Sequence, residues 1–354
     1  MIVVLAVIWA YFHWATEAVF LTPRNISNLL TQTSVTAVLA VGMLLVIVAG
    51  RIDLSVGSLL GFTGGIAAFA MTGFGSSLSA AVIAALAVGL AAGLLQGFLT
   101  AYVNIPAFIV TLGGLLAWRG AVKWLLGGNT VPVADETFRW IGNGDLPPAI
   151  GWALALMVIA VIVGAALIRK RESSPFDIIS RTIVPVIAVI GFTGVMNVYQ
   201  GVPVPVLLLV LVALAGSFLA NSTVFGRYVY AIGGNAEASR LSGINVRRNL
   251  LAVFGLMGLL TAVASFIFTA RVGSAAPDAG GLKELDAIAA CVIGGASLMG
   301  GRGTVFGACL GALIMASLDN GMSLLNVRDF MQDIIKGAIL VAAVGLDMMG
   351  GKRS

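Results

Sequence analysis

Charge is what this chain has least of. Asp, Glu, Lys and Arg make up 10% of its 354 residues, hydrophobic residues make up 59%, and mean hydropathy is +1.05. A soluble domain carries about 25% charged residues. There is too little polar surface here to face water, which excludes an ordinary cytosolic enzyme and a disordered chain. Histidine is almost missing: His13 stands alone, so most zinc chemistry, Ser–His hydrolysis and histidine proton relays have no means. The two cysteines, Cys291 and Cys309, lie in apolar stretches without a CxxC spacing and read as small apolar packers. The lysines are five, at 123, 170, 283, 336 and 352, and none sits in a phosphate-cradling GxxxxGK[ST] loop. No HExxH and no paired intramembrane aspartates in a GxGD-like context are present, so an enzyme is not expected.

What the chain has in abundance is long apolar runs and 45 glycines. Spans need about 20 apolar residues, and glycine is more frequent in membrane helices than in soluble ones. The pattern predicts an all-α polytopic membrane protein, one transmembrane domain over 1–354. Spans are expected near 2–21, 79–103, 106–127, 149–168, 182–199, 204–220, 250–270 and 334–350. The first begins apolar at Met1 without a basic n-region and reads as a spanning helix, not as a removable signal. Two further runs are interrupted near their middles: 34–71, broken at 50–55, and 286–318, broken at 294–295 and 300–303. Counting both halves gives about 10–12 transmembrane helices. The breaks echo each other weakly, Val46 to Gly57 lying beside Val292 to Gly303, and paired Gly-interrupted segments point to a transport pathway. Close packing by small residues is the other reading of the same glycines.

Net charge is +5, which here concerns membrane orientation and not nucleic acid. Segments 169–181 and 221–249 and the Lys352-Arg353 end carry Arg169, Lys170, Arg171, Arg181, Arg227, Arg240, Arg247 and Arg248 besides that pair. Segments 128–148, 271–286 and 320–333 are acidic, with Asp135, Glu136, Asp145, Asp278, Glu284, Asp286, Asp329 and Asp333. The positive-inside rule puts the basic set in the cytoplasm, and an even number of spans puts both termini there.

Within loop 221–249 a short helix is well signed. Asn235 suits an N-cap, Glu237 the first turn, and Gly243 the C′ position, while Glu237 and Arg240 stand three apart. So short a helix needs a surface to pack on, its own membrane domain or a cytoplasmic partner. Among the acids, Asp286 opens a helix, where the dipole favours it. Asp53 lies in the first break and either caps the following half-helix beside Arg51 or orients gating groups. Asp319-Asn320-Gly321 is expected to end a helix, as an Asx turn or as part of the pore. Asp53, Ser55, Asn104, Asp286, Asp319 and Asn320 are the pore and gating candidates. A gradient-driven carrier would use such intramembrane carboxylates, so an ion-coupled sugar carrier is the alternative class.

The loop and several other stretches resemble a known family. Gly226-Arg227, Ala231-Ile232-Gly233-Gly234-Asn235, Glu237-Ala238 and Arg240-Leu241-Ser242-Gly243-Ile244-Asn245-Val246 resemble the cytoplasmic motif of monosaccharide permeases in ATP-binding-cassette importers. Ile52-Asp53-Leu54-Ser55-Val56-Gly57-Ser58, Pro106 to Gly113 and Glu284 to Gly295 match further signatures in the same order, and the likeness covers nearly the whole chain. Arg51, where many relatives have Gly or an acid, departs from the pattern. The insertion at 169–181, Gly201-Val202-Pro203 and the run Ala316 to Ser323 resemble the xylose-transporting subgroup more than the ribose one. The resemblance implies a type II importer subunit in the inner membrane, working as a homodimer with two cytoplasmic ATPase subunits and a periplasmic sugar-binding protein. ATP and Mg would be held by the partner and no cofactor by this chain. Residues Gly233, Gly234, Asn235, Glu237, Ala238, Arg240, Leu241 and Gly243 would form the element that couples to the ATPase.

Overall fold

The computed structural model describes residues 1–169 and 179–350; the basic segment 170–178 and the Lys352-Arg353 end lie outside the described residues. The chain runs through α1 (Ile2–Ala15), α2 (Pro23–Val48), α3 (Val56–Gly73), α4 (Leu78–Ala101) and α5 (Ala107–Leu125). A short α6 (Glu136–Asn143) precedes α7 (Pro148–Arg169), and a π-helical turn, Ile179–Ile183, leads into α8 (Val184–Tyr199). Then come α9 (Val204–Ser222), α10 (Val224–Gly234), α11 (Ala236–Leu241), α12 (Val246–Val272), α13 (Lys283–Ile293), α14 (Val305–Leu324) and α15 (Asp329–Gly350). Seven of the described helices are long and apolar enough to cross a membrane, and α1, α7 and α8 contribute shorter apolar segments. Two small antiparallel pairs, β1 (Val131–Pro132) with β4 (Ser274–Ala275) and β2 (Asp145–Leu146) with β3 (Val202–Pro203), tie loops at one end of the bundle. We call this the strand end; α11 lies at the other.

Both expected interruptions are present and are built alike. α2 stops in a Schellman motif: Gly50 takes φ +71°, Gly50 N–H donates to Ile47 O (2.8 Å) and Arg51 N–H to Val46 O (3.0 Å). α13 stops the same way, with Gly295 at φ +86°, Gly295 N–H to Val292 O (2.9 Å) and Ala296 N–H to Cys291 O (2.9 Å). The structural equivalence is thus Gly50 with Gly295, one residue off the register the sequences suggest. The two breaks touch: Gly301 N–H donates to Val48 O at 2.9 Å.

Four expectations change. The first helix ends at Ala15, where Thr16 bonds back to Phe12 O (2.6 Å) and a turn follows. α2 begins eleven residues before 34, because Pro23 at its first position and Thr22 as N-cap start a helix through a polar stretch that hydropathy averaging hides. α14 runs on through Asp319-Asn320-Gly321 to Leu324, so Asp319 is a mid-helix residue and makes no Asx turn. Helices α10 and α6 are additions; Thr223 and Asp135 cap them through hydrogen bonds to Gly226 N–H and Phe138 N–H.

α2 is the buried axis, with 89% of its apolar window covered against 28% for α4. The tightest crossing joins α4 to α12. Gly89, Gly93 and Gly97 stand four apart on one face of α4, and a side chain on Gly93 would strike Phe254 O while one on Gly258 would strike Gly89 O. Small residues let the backbones meet, which substitutes for hydrophobic drive between helices in lipid. Trp9 Nε1 bonds Ser317 Oγ (2.9 Å), and Phe12 packs against Gly321, so α1 runs parallel to α14 and starts toward the α11 end. Gly93→Leu is expected to cost more than the ~1–3 kcal/mol of ordinary overpacking, read as a lower thermal midpoint of the purified protein in detergent. Gly113→Ala, which meets open space, should leave that midpoint unchanged.

Candidate functional site

Three features align along the bundle. At the α11 end, Asn235 caps α11 through Ala238 N–H (2.9 Å), and Gly243 at φ +83° closes it with Gly243 N–H to Arg240 O (3.1 Å) and Ile244 N–H to Ser239 O (3.0 Å). That is a third Schellman motif. Arg240 grips Glu237 with both prongs, Nε to Oε2 at 3.1 Å and Nη2 to Oε1 at 2.6 Å, while the two side chains stay about two-thirds exposed, 66% and 65%. The hydrogen bonds from Arg240, and secondly its charge, hold the Glu237 carboxyl below its usual range. Ala238 and Leu241 are exposed. α10 links this helix to both breaks. A Cβ on Gly233 would collide with Val48 O and Gly301 N, Gly301 packs on Gly234, and Tyr230 Oη donates to Gly303 O (2.7 Å).

Partway along the bundle, the starts of two half-helices meet. After the first break, residues 51–55 lead back inward and Ser55 opens α3. Asp53, 2% exposed, accepts from Ser55 N–H (2.8 Å) and Ser55 Oγ (2.7 Å), and Gln96 Nε2 donates to Ser55 Oγ (2.8 Å). Arg51 points outward and is exposed. From the strand end, residues 276–282 enter irregularly to α13, and Arg119 Nη1 holds Ala279 O (3.0 Å). A Cβ on Gly57 would strike both Gly280 O and the Glu284 carboxylate, so α3 and α13 begin against each other. The acids near these starts meet the positive ends of helix dipoles.

Toward the strand end the bundle opens into a cavity of about 580 Å³, bordered by Arg24, Asn28, Thr31, Asn143, Asp145 and Arg271. Burial pushes the Asp145 carboxyl above its ordinary range. Arg271 also borders a deeper cavity of about 180 Å³ between α2, α12, α13 and α14. Beneath it lies an ion cluster. Lys283 Nζ meets Asp286 at 2.7 Å, and Lys336 of α15 reaches Asp286, Asp319 and Asp333 at 3.5, 3.4 and 3.7 Å.

The structure brings Asp53 and Ser55 together, and joins Asp286 to Asp319 through Lys336. Asn320 pairs its amide with that of Asn25, at 2.9 and 3.1 Å, and locks α14 to the start of α2. Asn104 stands apart, exposed in the α4–α5 turn at φ +62°, a left-handed position that Asn tolerates. Sequence reasoning passed over Arg271, Lys336 and the polar face of α2. The signal for the last was present: Asn25, Asn28, Gln32 and Thr36 fall three or four apart.

The model of the family described as branched-chain amino acid transport system / permease component matches residues 25–344. The chain is 46% identical over 362 positions to the xylose transport system permease protein of Escherichia coli strain K12, covering 100% of this chain and 92% of that one. It is 46% identical over 361 positions to the xylose transport system permease protein of Haemophilus influenzae, covering 100% and 96%. It is 40% identical over 328 positions to the ribose import permease protein of Escherichia coli strain K12, covering 93% and 87%. No solved structure matches it significantly. With 320 consecutive positions inside the family's bounds and full-length identity to named permeases, the chain belongs to this family of transport-system permease components.

Proposed function

We propose that this chain is the membrane subunit of an ATP-binding-cassette importer that moves a monosaccharide, xylose first, delivered by a periplasmic binding protein. The sugar rests on the relatives' names, since the family description names branched-chain amino acids while the full-length relatives carry xylose and ribose. One observation carries the mechanism. α11 is capped at both ends, exposed, and seated through α10 directly on the two helix breaks. An element built this way passes a push from a cytoplasmic partner to the membrane without first unfolding. On this reading two ATPase subunits hold ATP and Mg and drive α11 in each half of a permease homodimer. Their motion shifts the half-helix starts between outward and inward access. The strand-end cavity is where the binding protein releases sugar.

We infer from the basic segments that the α11 end faces the cytoplasm. α1 starts at that end, parallel to α14, and α15 runs toward it beside α13, with Lys336 near Asp286 and Leu340 near Ala289. Both termini are then cytoplasmic.

Two measurements test the reading. In vesicles holding this chain with its ATPase and binding protein, Glu237→Ala/Arg240→Ala should abolish ATP-dependent uptake of labelled xylose while membrane assembly stays intact, because an exposed ion pair adds little to folding. Sugar uptake by this chain alone on a proton or sodium gradient would sink the importer reading and promote a secondary carrier. Sidedness is read by a membrane-impermeant maleimide. Trp140→Cys on exposed α6 should label in right-side-out vesicles, and Met299→Cys, 78% exposed at the α11 end, only in inverted ones.

A further inference from the structure

The deeper cavity is built unlike the vestibule above it. Thr36 borders it at 4% exposure. Its hydroxyl makes no hydrogen bond among the described residues, whereas Thr31, Thr33 and Ser34 each donate to the carbonyl four residues back on the same helix. A hydroxyl that faces a cavity and makes no bond to its own helix is open to a ligand or water. Gln32 stands one turn earlier on the same face, and its amide is likewise unbonded among the described residues. Across from them, Asp319 keeps Oδ1 sealed on the Lys336 side, and its side chain remains 26% exposed where it borders the cavity. The ring of Phe268 supplies an apolar wall.

The acids around this space are paired: Asp286, Asp319 and Asp333 each have a lysine within 4 Å, while Arg271 donates to Asn28 Oδ1 at 3.3 Å. A cation finds no unpaired carboxylate on these walls and would lose its hydration. An uncharged ligand dense in hydroxyls, with one C–H face for the ring, finds donors, acceptors and an aromatic surface together.

We propose that this cavity, walled by Gln32, Thr36, Phe268, Arg271, Lys283 and Asp319, is a subsite at which the permease itself holds one neutral sugar in transit. The proposal rests on the sugar-importer reading above and adds that the membrane subunit contributes to selection. A site that hydrogen-bonds substrate hydroxyls discriminates against sugars that misplace them.

The test compares wild type, Thr36→Val and Gln32→Leu in vesicles holding the permease, the ATPase and the binding protein. It reads labelled-xylose uptake and, separately, ATP hydrolysis stimulated by the loaded binding protein. Val matches Thr in shape and β-branching and differs by the hydroxyl alone, on a helix already rich in valine, so the helix is kept. Each variant should lower uptake about tenfold at sub-saturating xylose, with stimulated hydrolysis within about twofold of wild type. Equilibrium binding of labelled xylose to the purified permease alone should be displaced by unlabelled xylose and weakened in Thr36→Val. Uptake unchanged in both variants overturns the subsite, and so does a parallel fall in uptake and hydrolysis, which marks a structural role. A wild-type complex that imports leucine and no sugar overturns the sugar-importer reading itself, a result that the variants alone cannot produce.

Discussion

The hydrogen bond from Gly301 N–H to Val48 O, 2.9 Å long, joins the two places where a helix of this bundle stops short. Backbone groups buried at membrane depth have no water to bond, so an interruption survives only where protein replaces the lost helical partners. Here the replacement is threefold. Each break satisfies its own carbonyls with a Schellman motif, and each carries a glycine in the left-handed region that the motif requires. The breaks then bond each other, so neither can shift alone. This contact fixes against each other the break from which α3 sets out and the break at which α13 ends.

Glycine serves a second purpose at the same place. Gly233 lies so close to Val48 and Gly301 that no side chain fits between them. The end of α10 is therefore held against both breaks by backbone contact, without long flexible side chains between. A mechanical coupling through packed backbone loses little motion to rotamer changes, because close-packed interiors transmit strain. By contrast, the Glu237–Arg240 pair is exposed and adds little to the fold. Its two-pronged geometry fixes a charged surface on a six-residue helix that could not persist alone. Rigidity inside and an ordered polar surface outside are what a transmitted push needs.

The outline of this arrangement was legible in the sequence because its signals are local. Glycine at a helix end, Asn235 before a short helix and runs of about 20 apolar residues each report their own surroundings. What escaped was set by distance. Lys336 reads as one lysine early in an apolar helix; its meaning comes from Asp286 and Asp319, which α13 and α14 bring to it. Asp319 seemed to end a helix because Asn320-Gly321 follows it. The helix continues because Asn320 is tied to Asn25 across the bundle and Gly321 makes room for Phe12. In both cases a tertiary contact overrides a local preference. The polar face of α2 was hidden for another reason: hydropathy averages over a turn, while a lined cavity depends on which side of the turn each residue takes.

The pairing of the acids around the inner cavity also bears on how the transporter is powered. An ion-coupled carrier moves charge with its substrate, so a pathway of that kind presents carboxylates free to meet the coupling ion. Asp286 and Asp319 instead share Lys336, and Asp286 has Lys283 besides. These fixed cations neutralise the carboxylates in place and tie α13, α14 and α15 together at the height of the cavity. What remains for a passenger is neutral hydrogen bonding on one wall and an aromatic ring on another. A cavity walled this way offers an uncharged solute its hydrogen bonds and gives a coupling cation no free carboxylate. On the importer reading the energy enters at the opposite end of the bundle, where α10 sits directly on the breaks and carries α11.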